Sequence, residues 1–280
     1  VHTGTSNLLE LILSPSNLND AYRQVLRNGG VGGVDKMGTS ELLPYLNLHT
    51  DELIELLLVG KYRPSAVRRV EIPKENGKKR LLGIPTVVDR FLQQAISQVL
   101  IRIYEAGFSD NSFGFRPNRS AHDALKRVQE YAGQGYRYCV NIDLECFFDT
   151  VNHSKLIEIL SRTIKDGRVV SLIHHYLNAG VMVNHRFEET MEGVPQGGPL
   201  SPILSNILLN ELDKELELRG HPFVRYADDC LILVKSLRAT TRVRDSISCF
   251  IEKKLFLKVN FDKTVVGSLA GKKYLGYSFY

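Results

Sequence analysis

Residues 223–234 read FVRYADDCLILV: an apolar run from Phe223 to Tyr226, a polar Ala227-Asp228-Asp229 turn, and a second apolar run from Cys230 to Val234. Two short runs rich in branched and aromatic residues on either side of a turn read as a β-hairpin. Aspartates favour turns because their side chains bond nearby backbone, and an isolated Asp-Asp is usually no more than that. Here both carboxylates lie between strands apolar enough to be buried, where like charges repel and lose hydration unless a cation is present. A third carboxylate has matching surroundings. Tyr138–Ile142 reads as a buried strand that ends at Asp143 and is followed by Phe147, Phe148 and Asp149. If that strand lies beside the hairpin, Asp143 and Asp228 meet. Oxygen-rich groups of this kind suit Mg²⁺, which keeps waters and takes phosphate oxygens as its remaining ligands. Two such ions about 3.5–4 Å apart serve in-line phosphoryl displacement, in nucleases and polymerases alike.

Upstream of the hairpin, Ser201–Arg219 places Ile203, Leu204, Ile207, Leu208, Leu212 and Leu216 at helical spacing and predicts a long amphipathic helix. The loop before it, Gly193 to Ser201 (GVPQGGPLS), offers backbone N–H groups to a phosphate or base edge. It reads equally as an ordinary loop with Ser201 as cap and Pro202 at the first helical position. Further upstream, Val67–Ile72 and Arg80–Leu82 flank the turn Glu75-Asn76-Gly77-Lys78, and Asn-Gly between such runs predicts a second, basic hairpin. Apolar positions from Val88 to Ile103 follow the 3.6-residue period of a helix. Other expected helices start at Ser16 or Asn17 and stop near Gly29-Gly30, cover Asp51–Leu58, follow Ser120, and cover Asp245–Leu255. A last strand is expected at Tyr274–Phe279. Helices interleaved with hairpin-paired strands predict an α+β fold, a sheet with helices on one face.

The chain has 280 residues, of which 43% are hydrophobic and 24% charged, without an apolar run long enough to span a bilayer. That excludes a helical membrane protein and a wholly disordered chain, and fits one large domain or two subdomains sharing a core. No secretion signal is visible, and Val1 in place of Met suggests a processed start or a cloning scar. Four cysteines with no CxxC pair argue against a disulfide framework or zinc site and point to a reducing cytoplasm. Cys146 and Cys230 read as small buried fillers and His174-His175 as a surface pair. The net charge of +5 is unevenly spread. Residues 61–90 hold nine lysines and arginines against three carboxylates, while residues 1–60 hold three against seven. The concentrated positive field points to a polyanionic partner. A basic hairpin able to hold a triphosphate beside paired carboxylates favours a polymerase, since a nuclease has no need of one.

The stretches RRVEIPKENGKKRLLGIPTVVDRFLQQAI, FGFRPNRSAHDAL, NIDLECFFDTVNH, GVPQGGPLSPILSNILLNELD, FVRYADDCLILV and KYLGYSF occur in this order. Together they resemble the reverse transcriptases encoded by group II introns, from about Asn17 to the last residue. Retron-like bacterial reverse transcriptases share the catalytic blocks. The resemblance implies a right-hand polymerase with an antiparallel palm sheet backed by helices. Residues 1–138 would form an N-terminal extension and fingers, and 139–280 the palm, with interleaving near 153–190. The thumb, maturase and endonuclease regions are expected to be absent, and the chain is expected to bind RNA but extend primers poorly.

The same resemblance assigns roles. Asp143, Asp228 and, as support, Asp229 are the catalytic carboxylates holding two Mg²⁺, with the Leu144 carbonyl completing a shell. Lys74, Arg80 and Gln196 grip the incoming dNTP, Phe148 lies beneath its sugar and rejects a 2′-OH, and Lys263 protonates the leaving pyrophosphate. Leu81, Ile84 and Pro85 cover the templating base, Arg63, Arg116 and Arg119 touch the template, and Tyr274, Leu275 and Gly276 support the primer end. Implied partners are an RNA template, intron RNA, a DNA or RNA primer and dNTP, with no membrane; a homodimer is an admissible state. The rival reading is a splicing cofactor that binds RNA without catalysis. Two departures from the family pattern are Cys146, where lysine is common, and Leu81, where proline is common.

Overall fold

The computed structural model describes residues 5–73 and 79–280. The first part of the chain forms α1 (Leu8–Ile12), α2 (Pro15–Asn28), α3 (Leu42–Leu58), β1 (Val67–Pro73), β2 (Lys79–Ile84), α4 (Val87–Tyr104), α5 (Ala121–Gly133) and β3 (Tyr138–Ile142). Then follow α6 (Phe147–Thr150), α7 (His153–Thr163), α8 (Gly167–Leu177), β4 (Val181–Val183), β5 (Arg186–Glu188), α9 (Ser201–Leu218), β6 (Phe223–Tyr226) and β7 (Asp229–Val234). The last elements are α10 (Leu237–Lys254), β8 (Val265–Ser268), β9 (Lys273–Tyr274) and β10 (Tyr277–Ser278). They pack as two compact units, each assembled from separate stretches: Val1–Ile103 with His153–Ile203, and Tyr104–Asn152 with Leu204–Tyr280.

The first unit carries a sheet of order β2-β1-β4-β5. The basic hairpin forms as expected, antiparallel from Arg68↔Ile84 to Pro73↔Lys79. Its Asn-Gly turn and Lys74 lie outside the described residues, and of Arg80 only the backbone is described. β4 joins β1 in parallel, with Val67 opposite Val181. Helix α4 buries Val88, Phe91, Leu92, Ala95, Ile96, Val99 and Leu100, the stripe that its periodicity predicts. Its Asp89 is buried and takes the Tyr62 hydroxyl (2.6 Å), the Thr86 hydroxyl (2.8 Å), the Ser65 N–H (3.0 Å) and the Tyr176 hydroxyl (3.2 Å). One carboxylate thus ties the entry of β1 and helix α8 to the start of α4. Helix α2 begins at Pro15, two residues ahead of Asn17, because Asn17 is an internal anchor and not a cap. Its amide donates to the Ile12 carbonyl (2.8 Å) and the Ala95 carbonyl (3.0 Å).

The second unit is built on an antiparallel sheet of order β6-β7-β3-β8. On one face Cys139, Val224, Leu231 and Leu233 pack with Ala124, Leu125 and Val128 of α5. On the other, the Arg225 side chain reaches Asp213 and Asn206 of α9. Helices therefore cover both faces, not the single face expected. The reason is legible in β7: Cys230 to Val234 are all buried, and a strand buried on both sides reads as a continuous apolar run. Helix α10 starts well before Asp245, capped by Ser236, whose hydroxyl accepts the Ala239 N–H. The expected strand at 274–279 is instead a small hairpin, β9 against β10, turned by left-handed Leu275 (φ 49°) and Gly276 (φ 84°). Among the described residues no helix is long and apolar enough to cross a membrane.

Candidate active site

The second unit brings the three aspartates to one end of its sheet. Antiparallel pairing sets Ile142 opposite Cys230. Asp143 directly follows the first and Asp229 directly precedes the second, so the register itself delivers both carboxylates to the same edge. Asn141 pairs with Leu231, and its amide, oriented to suit its neighbours, donates to Asp229 Oδ1 at 3.0 Å. The Asp143 peptide is clamped on both sides, its N–H donating to Thr264 Oγ1 (3.2 Å) and its carbonyl accepting the Asn260 N–H (2.9 Å). Burial, then the charges of Asp228 and Asp143, push the Asp229 carboxyl up to about 6. Asp229 therefore lies in the field of both other carboxylates, the electrostatic condition that a cation relieves.

The turn that carries Asp228 is held from several directions. Tyr226 pairs with Asp229, leaving Ala227 and Asp228 as a two-residue loop. Ala227 has φ 56°, whereas Asp228 is not among the positive-φ residues. That is the pattern of a type II′ turn, whose first central position normally takes glycine, and holding alanine there costs about 1–3 kcal/mol. Gly114 lies so close that a Cβ on it would meet the Ala227 nitrogen at 2.3 Å. Beneath, the buried Tyr274 hydroxyl donates to the Val224 carbonyl (3.1 Å) or the Asp229 carbonyl (3.2 Å). Arg225, fully buried, bonds Asp213 and the Ala227 carbonyl. Sequence reading passed over Arg225, although a lone cation inside an apolar strand demands a buried partner. The partner was signalled too: Asn206, Asn210 and Asp213 form a polar stripe at i, i+4 and i+7 on the otherwise apolar α9.

Other expected residues of this unit fall in varied places. Phe148 is half-buried, its ring edge-on to Phe147 with centroids 5.1 Å apart. Leu144 is buried and bridges Val259. Lys263 is exposed on the 260–264 turn that clamps Asp143, its N–H donating to Asn260 Oδ1 (3.2 Å). Cys230 is a buried filler as expected, but Cys146 is exposed and left-handed (φ 45°) at the entry to α6. Arg116 requires correction. Its side chain is 3% exposed, and its N–H groups go to Glu105, Ser109 O and Ser112 O, leaving it no reach to a template. A guanidinium that folding surrounds with carbonyls is consumed by them. Arg119 is partly exposed, pairs with Asp110 at 2.9 Å and lies over the Phe113 ring. Tyr274 is a floor under the hairpin, while Leu275 and Gly276 form the turn beside it.

In the first unit, Gln196 is half-buried, and its carbonyl accepts the Gly83 N–H at 2.7 Å, stitching the Pro-Gln-Gly-Gly loop to β2. Gly197 (φ 127°) makes this approach feasible, since a Cβ there would meet the Gly83 carbonyl oxygen at 2.7 Å. His153 Nε2 bonds the Gly193 carbonyl at 2.7 Å, and the Ser201 hydroxyl donates to the Pro195 carbonyl. Leu81 and Ile84 are half-buried and Pro85 is buried. Exposed Arg63 donates to the carbonyls of Gly60 and Tyr62, both at 2.9 Å. His174 of the expected surface pair is exposed and His175 half-buried.

Residues 72–279 match the family model described as reverse transcriptase (RNA-dependent DNA polymerase). The chain belongs to the reverse transcriptase family. YkfC of Escherichia coli K12 is 35% identical over 299 residues, covering 92% of this chain and 78% of that protein. The group II intron-encoded protein LtrA of Lactococcus lactis subsp. cremoris is 33% identical over 292 residues, covering 81% of this chain and 49% of that protein. Among solved structures, a chain of a partial Cas6-RT-Cas1–Cas2 complex superposes with a TM-score of 0.54 at 26% identity, covering 88% of this chain and 43% of that one. The reverse transcriptase thus spans about half the length of LtrA and less than half of the solved chain. Its mixed helix-and-sheet architecture is the fingers-and-palm fold of a polymerase.

Whether the carboxylates of this reverse transcriptase fit divalent ions is decided by charge and by donor type. Among the described residues no group of three or more His, Cys, Asp or Glu forms a ready cage. Mg²⁺ does not need one, because it keeps waters and binds through one or two carboxylates plus phosphate oxygens. Oxygen-only donors, with Asp229 pushed up by burial and then by its charged neighbours, fit a hard cation completed by a nucleotide.

Proposed function

We propose that the chain is the catalytic core of a group II intron-encoded reverse transcriptase, joining a primer 3′-OH to the α-phosphate of a dNTP on an RNA template with loss of pyrophosphate. The observation that carries this reading is the convergence of Asp143, Asp228 and Asp229 at one sheet edge within a reverse transcriptase domain. Asp143 and Asp228, with the Leu144 carbonyl and support from Asp229, would hold two divalent ions, which when bound activate the attacking hydroxyl and offset charge on the leaving group. The clamp on the Asp143 peptide and the pairing of Tyr226 with Asp229 fix the backbone from which the carboxylates project, which favours a site preorganised before substrate arrives. Phe148, braced by Phe147, packs beneath the sugar and excludes a 2′-OH. Lys263, on the turn bonded to Asp143, is the proton donor to pyrophosphate. Lys74, Arg80 and Gln196 hold the triphosphate, Arg as a bidentate fork and Lys as a point charge. Leu81, Ile84 and Pro85 face the templating base, while Arg63 and Arg119 bear on the template backbone. The basic stretch 61–90 supports binding of intron RNA as well, the contribution to splicing that the resemblance implies.

Primer extension on an RNA template, with each dNTP omitted in turn, tests the reading. Extension is expected to stop one position before each omitted base and to require a divalent cation. Cleavage of the RNA without added dNTP, and no extension with all four, would replace this reading with a nuclease.

A further inference from the structure

We propose that Arg225 is a positioning residue for nucleotide addition: braced by Asp213, it ties down the Ala227 carbonyl and so enforces the left-handed turn that presents Asp228. Arg225 and Asp213 have side chains 1% and 0% exposed. The guanidinium donates Nε to Asp213 Oδ1 (2.7 Å) and Nη2 to Oδ2 (2.6 Å), a bidentate fork that fixes its plane. The remaining nitrogen, Nη1, donates to the Ala227 carbonyl (2.7 Å) and Asn206 Oδ1 (3.0 Å). Asn206 in turn donates to the Gly114 carbonyl (2.9 Å), and Gly114 is the residue pressed against the Ala227 nitrogen. The Arg225 backbone is equally fixed, its N–H bonding Asn111 O (2.8 Å) and its carbonyl accepting from the Phe113 N–H (2.9 Å).

Stability alone does not account for this arrangement. Apolar residues of similar size usually replace a buried ion pair without loss. Geometry does account for it. The Ala227 carbonyl and the Asp228 Cα belong to one planar peptide unit, so a fixed direction for that carbonyl fixes the Cα from which the Asp228 carboxylate projects. Alanine occupies a position where glycine is usual, and the Arg225 hydrogen bond supplies the constraint that the residue type does not.

This inference rests on the polymerase reading, and the test separates the two. The double variant R225M/D213L removes the tether together with both charges. It is expected to melt within a few degrees of the parent, while single-nucleotide incorporation slows by about 30- to 100-fold, the cost of a misplacement near 1 Å. The KM for dNTP should change less than threefold, because an interaction realised only in the transition state appears in kcat. Adding A227G should recover a large part of the rate, since glycine takes the turn unaided. R225K, which keeps an ion pair but loses the fork, should show the same loss and the same rescue, and it decides the matter if the double variant melts far lower. Binding of Mn²⁺ in the complex with dideoxy-terminated primer, RNA template and dNTP, followed by electron paramagnetic resonance, needs no turnover and should weaken several-fold. Folded variants that incorporate at the parental rate, or a rate loss that A227G leaves untouched, overturn the tether. A parent chain that incorporates nothing overturns the polymerase reading instead; unchanged Mn²⁺ binding in the variants then overturns the tether as well.

Discussion

Two hairpins of this chain were both legible as alternating or apolar runs around a turn, yet they are built on opposite principles. In β6–β7 nearly every residue is buried, the turn is bonded from behind by Arg225 and Tyr274, and its one strained residue, Ala227, is constrained on both sides. In β1–β2 burial declines along the strand, from buried Val67 to exposed Glu71, Ile72 and Pro73, and Lys79 pairs with Glu71 at the surface. This hairpin is fastened at its base, by the Gly83–Gln196 bond and by Arg68 donating to Gly32 O. The contrast follows from the chemistry proposed for each. Carboxylates that act on developing charge gain from being immobile, whereas cations that collect a phosphate must face solvent to meet it.

Substitutions in the unit that carries the carboxylates and in the basic hairpin with its fastening loop should therefore fail in different ways. Replacing Phe148 with valine is expected to narrow dNTP-over-rNTP preference by about 10- to 100-fold, in the range that a lost pocket contact sets. Parallel incorporation of both nucleotide types measures this, and an unchanged ratio removes Phe148 from sugar selection. In the basic hairpin, R80A should raise the KM for dNTP about tenfold, equal to about 1.4 kcal/mol, with kcat little altered. A fall in kcat at constant KM would erase the distinction between the hairpins. At the fastening point, G197A should lower stability by about 1–3 kcal/mol because φ 127° and the nearby Gly83 carbonyl both oppose a Cβ. A chain of this size should lose about 2–4 °C in melting temperature per kcal/mol. Smallest of all, K79A removes an ion pair whose side chains are 65% and 51% exposed, so stability should move by less than about 0.5 kcal/mol.

The sequence revealed the features governed by local pattern. FVRYADDCLILV folds as the hairpin it resembles, CVNID lies beside it in the register that joins Asp143 to the pair, and the helical stripe of 88–103 is buried as spaced. Features governed by tertiary partners were not legible. Arg116 looked like a template contact, but only folding brings Glu105 and two carbonyls around it. Tyr274 is held by its hydroxyl beneath the hairpin, a bond to the Val224 or Asp229 carbonyl that only folding supplies. Helix α8 did carry a local signal, since Asp166-Gly167 marks its start and the Asp166 side chain accepts the Arg168 N–H as its cap, whereas α10 begins earlier than its apolar spacing implied. Arg225 was visible as a charge in an apolar strand, but naming its partner required pairing it with the polar stripe of the preceding helix.

The central claim is that the carboxylate end of the palm sheet performs nucleotide addition while other residues hold the nucleic acid. Substituting Asp228 with asparagine and measuring RNA affinity and single-nucleotide incorporation on the same preparation tests it most directly. The account predicts that incorporation falls by about a thousandfold or more while RNA binding and melting temperature stay near those of the parent, since binding draws on lysines and arginines. A pure Asp228→Asn chain that adds nucleotides at the parental rate would contradict it.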